Sequence, residues 1–268
     1  MATPSNPFAN MAGIMSEQIQ ATERLKMAII GGPGVGKSWM AATAPKPIRY
    51  YDHDDRSESL EGKTGISILS RPTMLQVETD LSVMKANKLK KLALPATIVH
   101  DSVTFLNRAM EEEIFRQEPK LARTIRVGNS TSMKLRNGWD VINGVQRYIE
   151  YLIGEYAALG VSMIFVFHEK DEKDRTTSSA VESKYTGFVT VDPQYLQNCL
   201  SLFNEVYRMH VDTIAGKTSY KVTCRPTNEF VGKTTMLIDS EELPDIATLI
   251  TKHKAARAAQ KVQPLTTK

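Results

Sequence analysis

At 268 residues, with 41% hydrophobic and 24% charged side chains, the chain can form one large α/β domain or two small ones and has the composition of a soluble globular protein. No apolar run approaches the roughly 18 residues of a membrane span, the N-terminus lacks the basic start and apolar stretch of a secretory signal, and Cys199 and Cys224 are too few and too far apart for a disulfide framework or a zinc site. A net charge of +4 permits a nucleic-acid partner without demanding one, and the cysteine usage fits a cytoplasmic protein.

Residues 1–23 open with Ala2-Thr3-Pro4-Ser5-Asn6-Pro7-Phe8, a composition that cannot pack on itself, and read as an arm. Its apolar residues Phe8, Met11, Ile14 and Met15 are expected to dock on their own domain or on a neighbouring subunit. The apolar run Met27 to Ile30 then leads into Gly31-Gly32-Pro33-Gly34-Val35-Gly36-Lys37-Ser38, which fills G-x-x-x-x-G-K-[ST] at every fixed position. Trp39 begins a helix-compatible segment, so the strand, loop and helix that the motif requires are all present. Glycines let such a loop curl and turn its backbone N–H groups toward a polyphosphate seated on a helix N-terminus. Residues 31 to 39 are therefore the expected nucleotide-binding set. Lys37 reaches the β- and γ-phosphates, and the Ser38 hydroxyl takes one position on Mg²⁺.

Pro45 and Pro47 end the following helix at Ala44. Ile48 to Asp52 reads as a second strand whose end carries Asp52, Asp54 and Asp55, either part of the ligand edge of a parallel sheet or a solvated acidic loop. Lys85 to Lys91 holds four lysines in a helical pattern and reads as a solvated face. Pro95 introduces the apolar strand Ala96 to Ser102; its acid, Asp101, is the carboxylate expected to hold the magnesium through water, and His100 reads as a packed core histidine.

Between a helix ending near Glu118 and one starting near Trp139, six cations, Arg116, Lys120, Arg123, Arg126, Lys134 and Arg136, face the single acid Glu118. With interspersed Thr, Ser, Asn and Gly this reads as a flexible basic loop, for which phosphate-backbone binding is the sharper reading and mere solubility the plainer one. Val141, Ile142, Val145, Tyr148, Ile149, Leu152, Ile153 and Tyr156 recur at helical spacing and must pack on the sheet. The strand Val161 to Phe167 ends in His168-Glu169, placing a polar residue where it can sense a γ-phosphate. A second long polar loop, Glu169 to Gln194, precedes a helix from Leu196. Strands Glu205 to Asp212 and Lys217 to Cys224 meet at Gly216 as an antiparallel hairpin. Gly232-Lys233-Thr234-Thr235 imitates a phosphate loop but lacks the upstream glycine, and reads as a surface hairpin with an exposed lysine. Lys252, Lys254, Arg257 and Lys261 mark a basic last helix fraying into the tail.

The series GGPGVGKS, YYDHDD, IVHDS, a long amphipathic helix, FVFHEK, LFNEVYRM and a hairpin resembles the RecA-type ATPase core, and most nearly the compact phage-encoded nucleotide-binding or AAA-family ATPases, some of which anneal single strands in phage recombination. The resemblance implies a RecA-like P-loop α/β fold, with a mostly parallel twisted sheet, helices on both faces and a C-terminal antiparallel hairpin. It implies an arm over residues 1–23, an ATPase core over 24–240 and a basic helix and tail over 241–268. By the same resemblance Asp54 orients the attacking water, although relatives carry the longer Glu there, and His168 replaces the glutamine that couples the γ-phosphate to a DNA-binding loop. Arg116 to Arg136 and the loop after His168 correspond in order to the two DNA-contacting loops, and Arg225 or Lys233 are the candidates for a basic residue that completes a neighbour's site.

The expected protein is thus an ATP- and Mg²⁺-binding ATPase that self-assembles into a ring or filament and handles single-stranded DNA in the cytoplasm of a bacterial host. A single-strand binding protein is a further implied partner, and no membrane is. The rival readings are a small-molecule phosphotransferase of the P-loop type and a nucleotide-gated assembly protein without DNA.

Overall fold

Met27, Ala28, Ile29 and Ile30 carry no polar side chain, so the strand that holds them is stable only where both of its faces are covered. In β1 (Lys26–Gly31) all four are at most 2% exposed. The computed structural model describes residues 24–117, 122–127, 130–135, 138–170, 187–188, 199–214, 216–227, 230 and 232–262. After β1 come α1 (Lys37–Ala41), β2 (Ile48–Asp52), a 3-10 turn (Ser57–Leu60), β3 (Ile66–Ser70), α2 (Met74–Leu89), β4 (Thr97–Asp101) and α3 (Val103–Gln117). Then follow β5 (Ala122–Val127), β6 (Ser130–Leu135), α4 (Gly138–Leu159), β7 (Ser162–Lys170) and β8 (Gly187–Phe188). The chain closes with β9 (Glu205–Ile214), β10 (Lys217–Thr223), β11 (Glu241–Glu242) and α5 (Ile246–Val262). No helix among the described residues is long and apolar enough to cross a membrane.

The main sheet runs β11-β10-β9-β1-β7-β4-β2-β3, with β8 added to the end of β7. From β9 to β3 every pairing is parallel, and β10 and β11 are antiparallel. This is the α/β, mostly parallel architecture expected from the sequence. On one face, Val77, Leu81 and Met84 of α2, Leu106 and Met110 of α3, and Ile149, Leu152, Ile153 and Tyr156 of α4 form one core with Ala28, Ile30, Phe165 and Phe167. The spacing of the α4 residues puts them on a single stripe. The other face is covered by Met40 and Ala41 of α1, Leu60, and Ile246 and Leu249 of α5. The last helix therefore begins inside the core, where the Ile246 N–H also donates to Thr43 Oγ1 at 2.8 Å.

Several boundaries differ from those expected. Helix α1 stops at Ala41 rather than Ala44, because Thr43 and Ala44 donate to carbonyls three residues back and tighten the chain before Pro45. Strand β7 continues to Lys170, since β8 pairs with Glu169 and Lys170. The basic segment is not a flexible loop in its described part: β5 and β6 form an antiparallel hairpin, a two-stranded sheet of its own. Because α4 turns into β7 within two residues, it runs against the strands, and its N-terminal end, where the hairpin is attached, lies toward the sheet's C-terminal edge. The arm of residues 1–23, the polar loop after Lys170 as far as Thr186, Lys120, Arg136 and the tail after Val262 lie outside the described residues.

Gly232 to Thr235 is not a hairpin, although Lys233 is exposed as expected. Lys233 forms an isolated antiparallel bridge with Val206, and the two threonines turn inward onto Glu205, which is 1% exposed. One Glu205 oxygen accepts from Tyr207 Oη and Thr234 Oγ1 at 2.6 Å each, the other from Thr235 N at 3.0 Å and Thr235 Oγ1 at 2.5 Å. Four donors satisfy a buried charge, and removing the carboxylate strands all four. Glu205→Ala is expected to lower the unfolding free energy by about 3 kcal/mol or more, whereas Thr235→Val, which deletes one hydroxyl bond, is expected to cost about 1 kcal/mol. Chemical denaturation followed by circular dichroism checks the ranking.

Candidate functional site

The parallel ladders bring four strand ends to one edge. Gly31 of β1 stands opposite His168 of β7, Asp101 of β4 lies opposite Val166 of β7, and Asp52 of β2 lies opposite Asp101. The phosphate-loop strand and the Asp101 strand are thus separated by β7, which carries His168 between them. Gly36 has φ 87°, in the left-handed region that favours glycine, and a side chain on Gly31 would place its Cβ 2.6 Å from the Met209 carbonyl oxygen of β9. The glycines are therefore fixed by backbone conformation and close approach.

Within the loop, the Lys37 ammonium donates to the Gly31 and Gly32 carbonyls at 2.9 and 2.6 Å. Burial lowers its pKa, opposed by the charges of Asp101, Asp54 and Glu169. The Ser38 hydroxyl donates to Asp101 Oδ2 at 2.5 Å, and Tyr50 Oη donates to the same oxygen at 2.5 Å. Burial pushes the Asp101 carboxyl above its ordinary value against the pull of those two hydroxyls. The structure therefore brings together Lys37, Ser38 and Asp101, the residues assigned to phosphate and metal. A hydroxyl and a carboxylate oxygen in contact beside a lysine form a hard-oxygen donor set of the type Mg²⁺ takes.

Asp54 joins them. Its Oδ2 lies 3.7 Å from His168 Nε2, too long for a hydrogen bond but close enough for the imidazole to matter. Burial acts to raise the Asp54 carboxyl, but His168, Asp52 and Arg56 outweigh it and hold Asp54 below the ordinary carboxylate range. Neighbouring Asp52 is displaced the other way, chiefly by burial and in part by Asp54 itself. Phe105 of α3 meets the His168 ring edge-on, with centroids 6.5 Å apart. Beneath this pair runs a buried chain: His53 Nε2 is 3.0 Å from His100 Nδ1, and His100 Nε2 is 2.9 Å from Tyr156 Oη on α4. Burial lowers both imidazoles, His53 to about 3, and His53 Nδ1 has no partner among the described residues. His100 is thus buried as expected, but within a polar chain.

Trp39, 45% exposed, has the Lys63 ammonium 4.4 Å from its ring centroid and forms one wall of a groove of about 730 Å³. Gly34 and Gly36 form its floor; Tyr220, Leu243 and Pro244 line the rest. A second cavity, of about 660 Å³, opens on the opposite side beside His53 and Asp54 and includes Arg71, Phe105, Glu112 and Arg116.

Of the remaining sequence candidates, Arg116 is exposed on α3, paired with Glu113, and lines the cavity beside Asp54. Arg123, Arg126 and Lys134 lie on the β5–β6 hairpin, where the register sets Arg123 directly opposite Lys134. Arg225 donates to the Ile238 carbonyl at 3.0 Å, and Lys233 bridges Val206. Both follow strands that place them at the other end of β9 from the phosphate loop. Sequence reasoning missed Tyr50, Glu169 and Arg208. Tyr50 is hidden in an apolar-looking run, whereas Arg208 is a charge inside the strand EVYRM, a signal that could have been read.

Comparison with known proteins gives the family. Residues 23–236 match the model of the AAA domain. No curated protein matches the chain. Among solved structures, a KaiC-like protein of the hyperthermophilic archaeon Pyrococcus horikoshii is similar at 12% identity and a TM-score of 0.39, over 75% of this chain and 78% of that one. With a family model covering most of its length and an intact phosphate loop at the edge of its sheet, the chain belongs to the AAA domain family of P-loop ATPases.

Proposed function

We propose that the protein hydrolyses ATP with Mg²⁺ and couples that hydrolysis to binding single-stranded DNA, as an annealing or recombination ATPase of a phage acting in the cytoplasm of its bacterial host. The observation that carries the hydrolytic half is the convergence of Lys37, the Ser38–Asp101 contact and the Asp54–His168 pair at one sheet edge. Backbone amides of Gly34 to Ser38 and the Lys37 ammonium take the phosphates. Ser38 and Asp101 would hold the magnesium, which would neutralise charge that develops on the phosphoryl oxygens. Asp54, kept ionised, accepts a hydrogen bond from the attacking water, and His168, 3.7 Å from Asp54, serves as the sensor of the γ-phosphate in this reading. The groove against Trp39, Tyr220 and Leu243 begins at the floor of the phosphate loop and offers aromatic and aliphatic surface to the base.

The DNA half rests on the hairpin. Arg123 and Lys134 are paired in the β5–β6 register, which puts two cationic residues at one position of the hairpin, and a phosphate backbone matches such residues in charge. The hairpin is attached on the ATP side of the sheet. Self-assembly into a ring or filament would set Arg225 or Lys233 of one subunit against the site of another. A second reading, phosphoryl transfer to a small acceptor, is favoured by the 660 Å³ cavity, which opens beside Asp54 and carries Arg71 and Arg116. ATP hydrolysis measured with and without single-stranded DNA separates the two: stimulation supports the DNA-coupled ATPase, and an unstimulated protein that phosphorylates an acceptor supports the other.

Lys37→Ala is expected to abolish ATP binding while the protein still melts cooperatively, as isothermal calorimetry and circular dichroism would record; unchanged affinity in a folded variant removes the basis of this reading. Replacing Arg123, Arg126 and Lys134 with Ala is expected to weaken single-strand binding for all sequences and flatten the log–log salt dependence by about two units, at roughly 0.7 per phosphate contact. A wild-type slope in that variant places the contacts elsewhere. His168→Ala is expected to keep ATP binding but lose the dependence of DNA affinity on nucleotide, which DNA titrations with and without ATP would detect.

A further inference from the structure

We propose that Arg208 is an in-chain ligand for the terminal phosphate of the nucleotide, held in place by Glu169 as its positioning residue, so that the pair distinguishes a nucleoside triphosphate from a diphosphate. This rests on the phosphate loop being an ATP site, and adds the means by which that site recognises which nucleotide it holds.

The strand ladders place the pair. Arg208 of β9 stands opposite Ile30, and His168 of β7 stands opposite Gly31, so β9 and β7 flank the last residues of β1 from either side. Along these strands Val206 and Phe167 face the same core as Ile30. By the two-residue period of a strand, Arg208 and Glu169 continue that face past the end of β1. Glu169 Oε1 and Arg208 Nε come within 2.8 Å there, spanning the strand that feeds the phosphate loop. The Glu169 side chain is 9% exposed and that of Arg208 28%. The charge of Glu169 is also felt by Lys37, which places the pair in the same electrostatic neighbourhood as the lysine that takes the phosphates.

The contact is poorly made for a structural bond. Neither Glu169 Oε1 nor Arg208 Nε achieves hydrogen-bond geometry, and both atoms are buried. A buried pair contributes stability only when its geometry is good and its remaining protons and lone pairs are satisfied. Here Glu169 Oε1 and Arg208 Nε are not satisfied, and the two terminal nitrogens of Arg208, which are not among the buried unpartnered atoms, carry no hydrogen bond or ion pair to another described residue. A guanidinium held at Nε presents its terminal N–H groups as a planar fork, the shape that binds two oxygens of a phosphate at once. A lysine at this position would supply the charge without the fork. Among the described residues, the other two candidate cations, Arg225 and Lys233, lie toward the opposite end of β9. A diphosphate leaves the fork without its anion, whereas a triphosphate places one more dianionic group at the end of the chain.

The test is equilibrium binding, in Mg²⁺, of ADP and of the non-hydrolysable β,γ-imido analogue of ATP to the full chain and to its Arg208→Ala, Arg208→Lys and Glu169→Gln variants. Arg208→Ala is expected to lose about tenfold or more in affinity for the triphosphate analogue and less than about twofold for ADP. Arg208→Lys is expected to fall between wild type and Arg208→Ala. Glu169→Gln, which leaves the arginine present but unaimed, is expected to lower the triphosphate-to-diphosphate ratio about threefold. That ratio is the decisive readout, because a merely structural pair would change both affinities together or shift only the melting temperature. If Arg208→Ala fails to fold, Arg208→Lys and Glu169→Gln carry the same ratio. A wild-type ratio in the folded variants overturns the assignment of Arg208 and leaves the ATP site standing. Wild-type protein that binds neither nucleotide overturns the ATP site and the assignment with it.

Discussion

One buried carboxylate holds the site together. Asp101, 5% exposed, receives the hydroxyl of Ser38 from the phosphate-loop helix and that of Tyr50 from β2 on a single oxygen. It thereby fastens the phosphate-loop helix to β2, although β7 and β4 lie between β1 and β2 in the sheet. Burial disfavours the charged form of such a group, so the arrangement is stable only while donors or a cation compensate it. That demand explains the crowd of groups around it. Lys37 lies close enough to feel Asp101, Asp54 and Glu169, and each of those acids has a cation or imidazole of its own in reach, Lys37, His168 and Arg208 respectively.

The sheet order supplies the rest of the geometry. Placing β7 between the phosphate-loop strand and the Asp101 strand puts the residue at its tip, His168, between the ends of those two strands. The cavities fall on opposite sides of this line: the groove against Trp39 and Tyr220 under the β9–β10 hairpin, and the charged cavity against α3. The antiparallel β9–β10 pair extends beyond the parallel strands and becomes a wall of the groove. A purely parallel edge would have left the loop open on that side.

Local signals in the sequence carried much of this architecture. The apolar run before the glycines, the 3.6-residue stripe of α4 and the prolines after Ala44 each act over a few residues, and each placed its element within a few positions. The phosphate loop is legible because its glycines and lysine are set by backbone geometry and charge within eight residues. What was not legible depends on pairing across long separations. Tyr50 and Asp101 are 51 residues apart, and Arg208 meets Glu169 only because two strands flank a third. Strand β3, ISILS, is a sheet edge with Ile68 36% exposed, so it lacks the full burial that marks its neighbours. The basic segment reads as flexible because its polar residues mimic a loop and neither β5 nor β6 alternates apolar with polar residues throughout; only the pairing of the two strands reveals the hairpin. Gly232 to Thr235 was misread because the buried acid that organises it lies on β9.

The chain from His53 through His100 to Tyr156 has a property that follows from its protons. Both imidazoles are kept neutral by burial, so each carries one N–H, and each of the two contacts needs one donor and one acceptor. If the Tyr156 hydroxyl donates to His100, the His100 Nδ1–H must donate to His53, and His53 then carries its proton on Nδ1. If instead His100 donates to the tyrosine oxygen, His53 donates to His100 and bares a lone pair at Nδ1. That nitrogen is unpartnered among the described residues, and its ring borders the cavity beside Asp54. The rotation of one hydroxyl on helix α4 and the polarity of one atom at the edge of the site are therefore a single variable, and it can change sign without any heavy atom leaving its place.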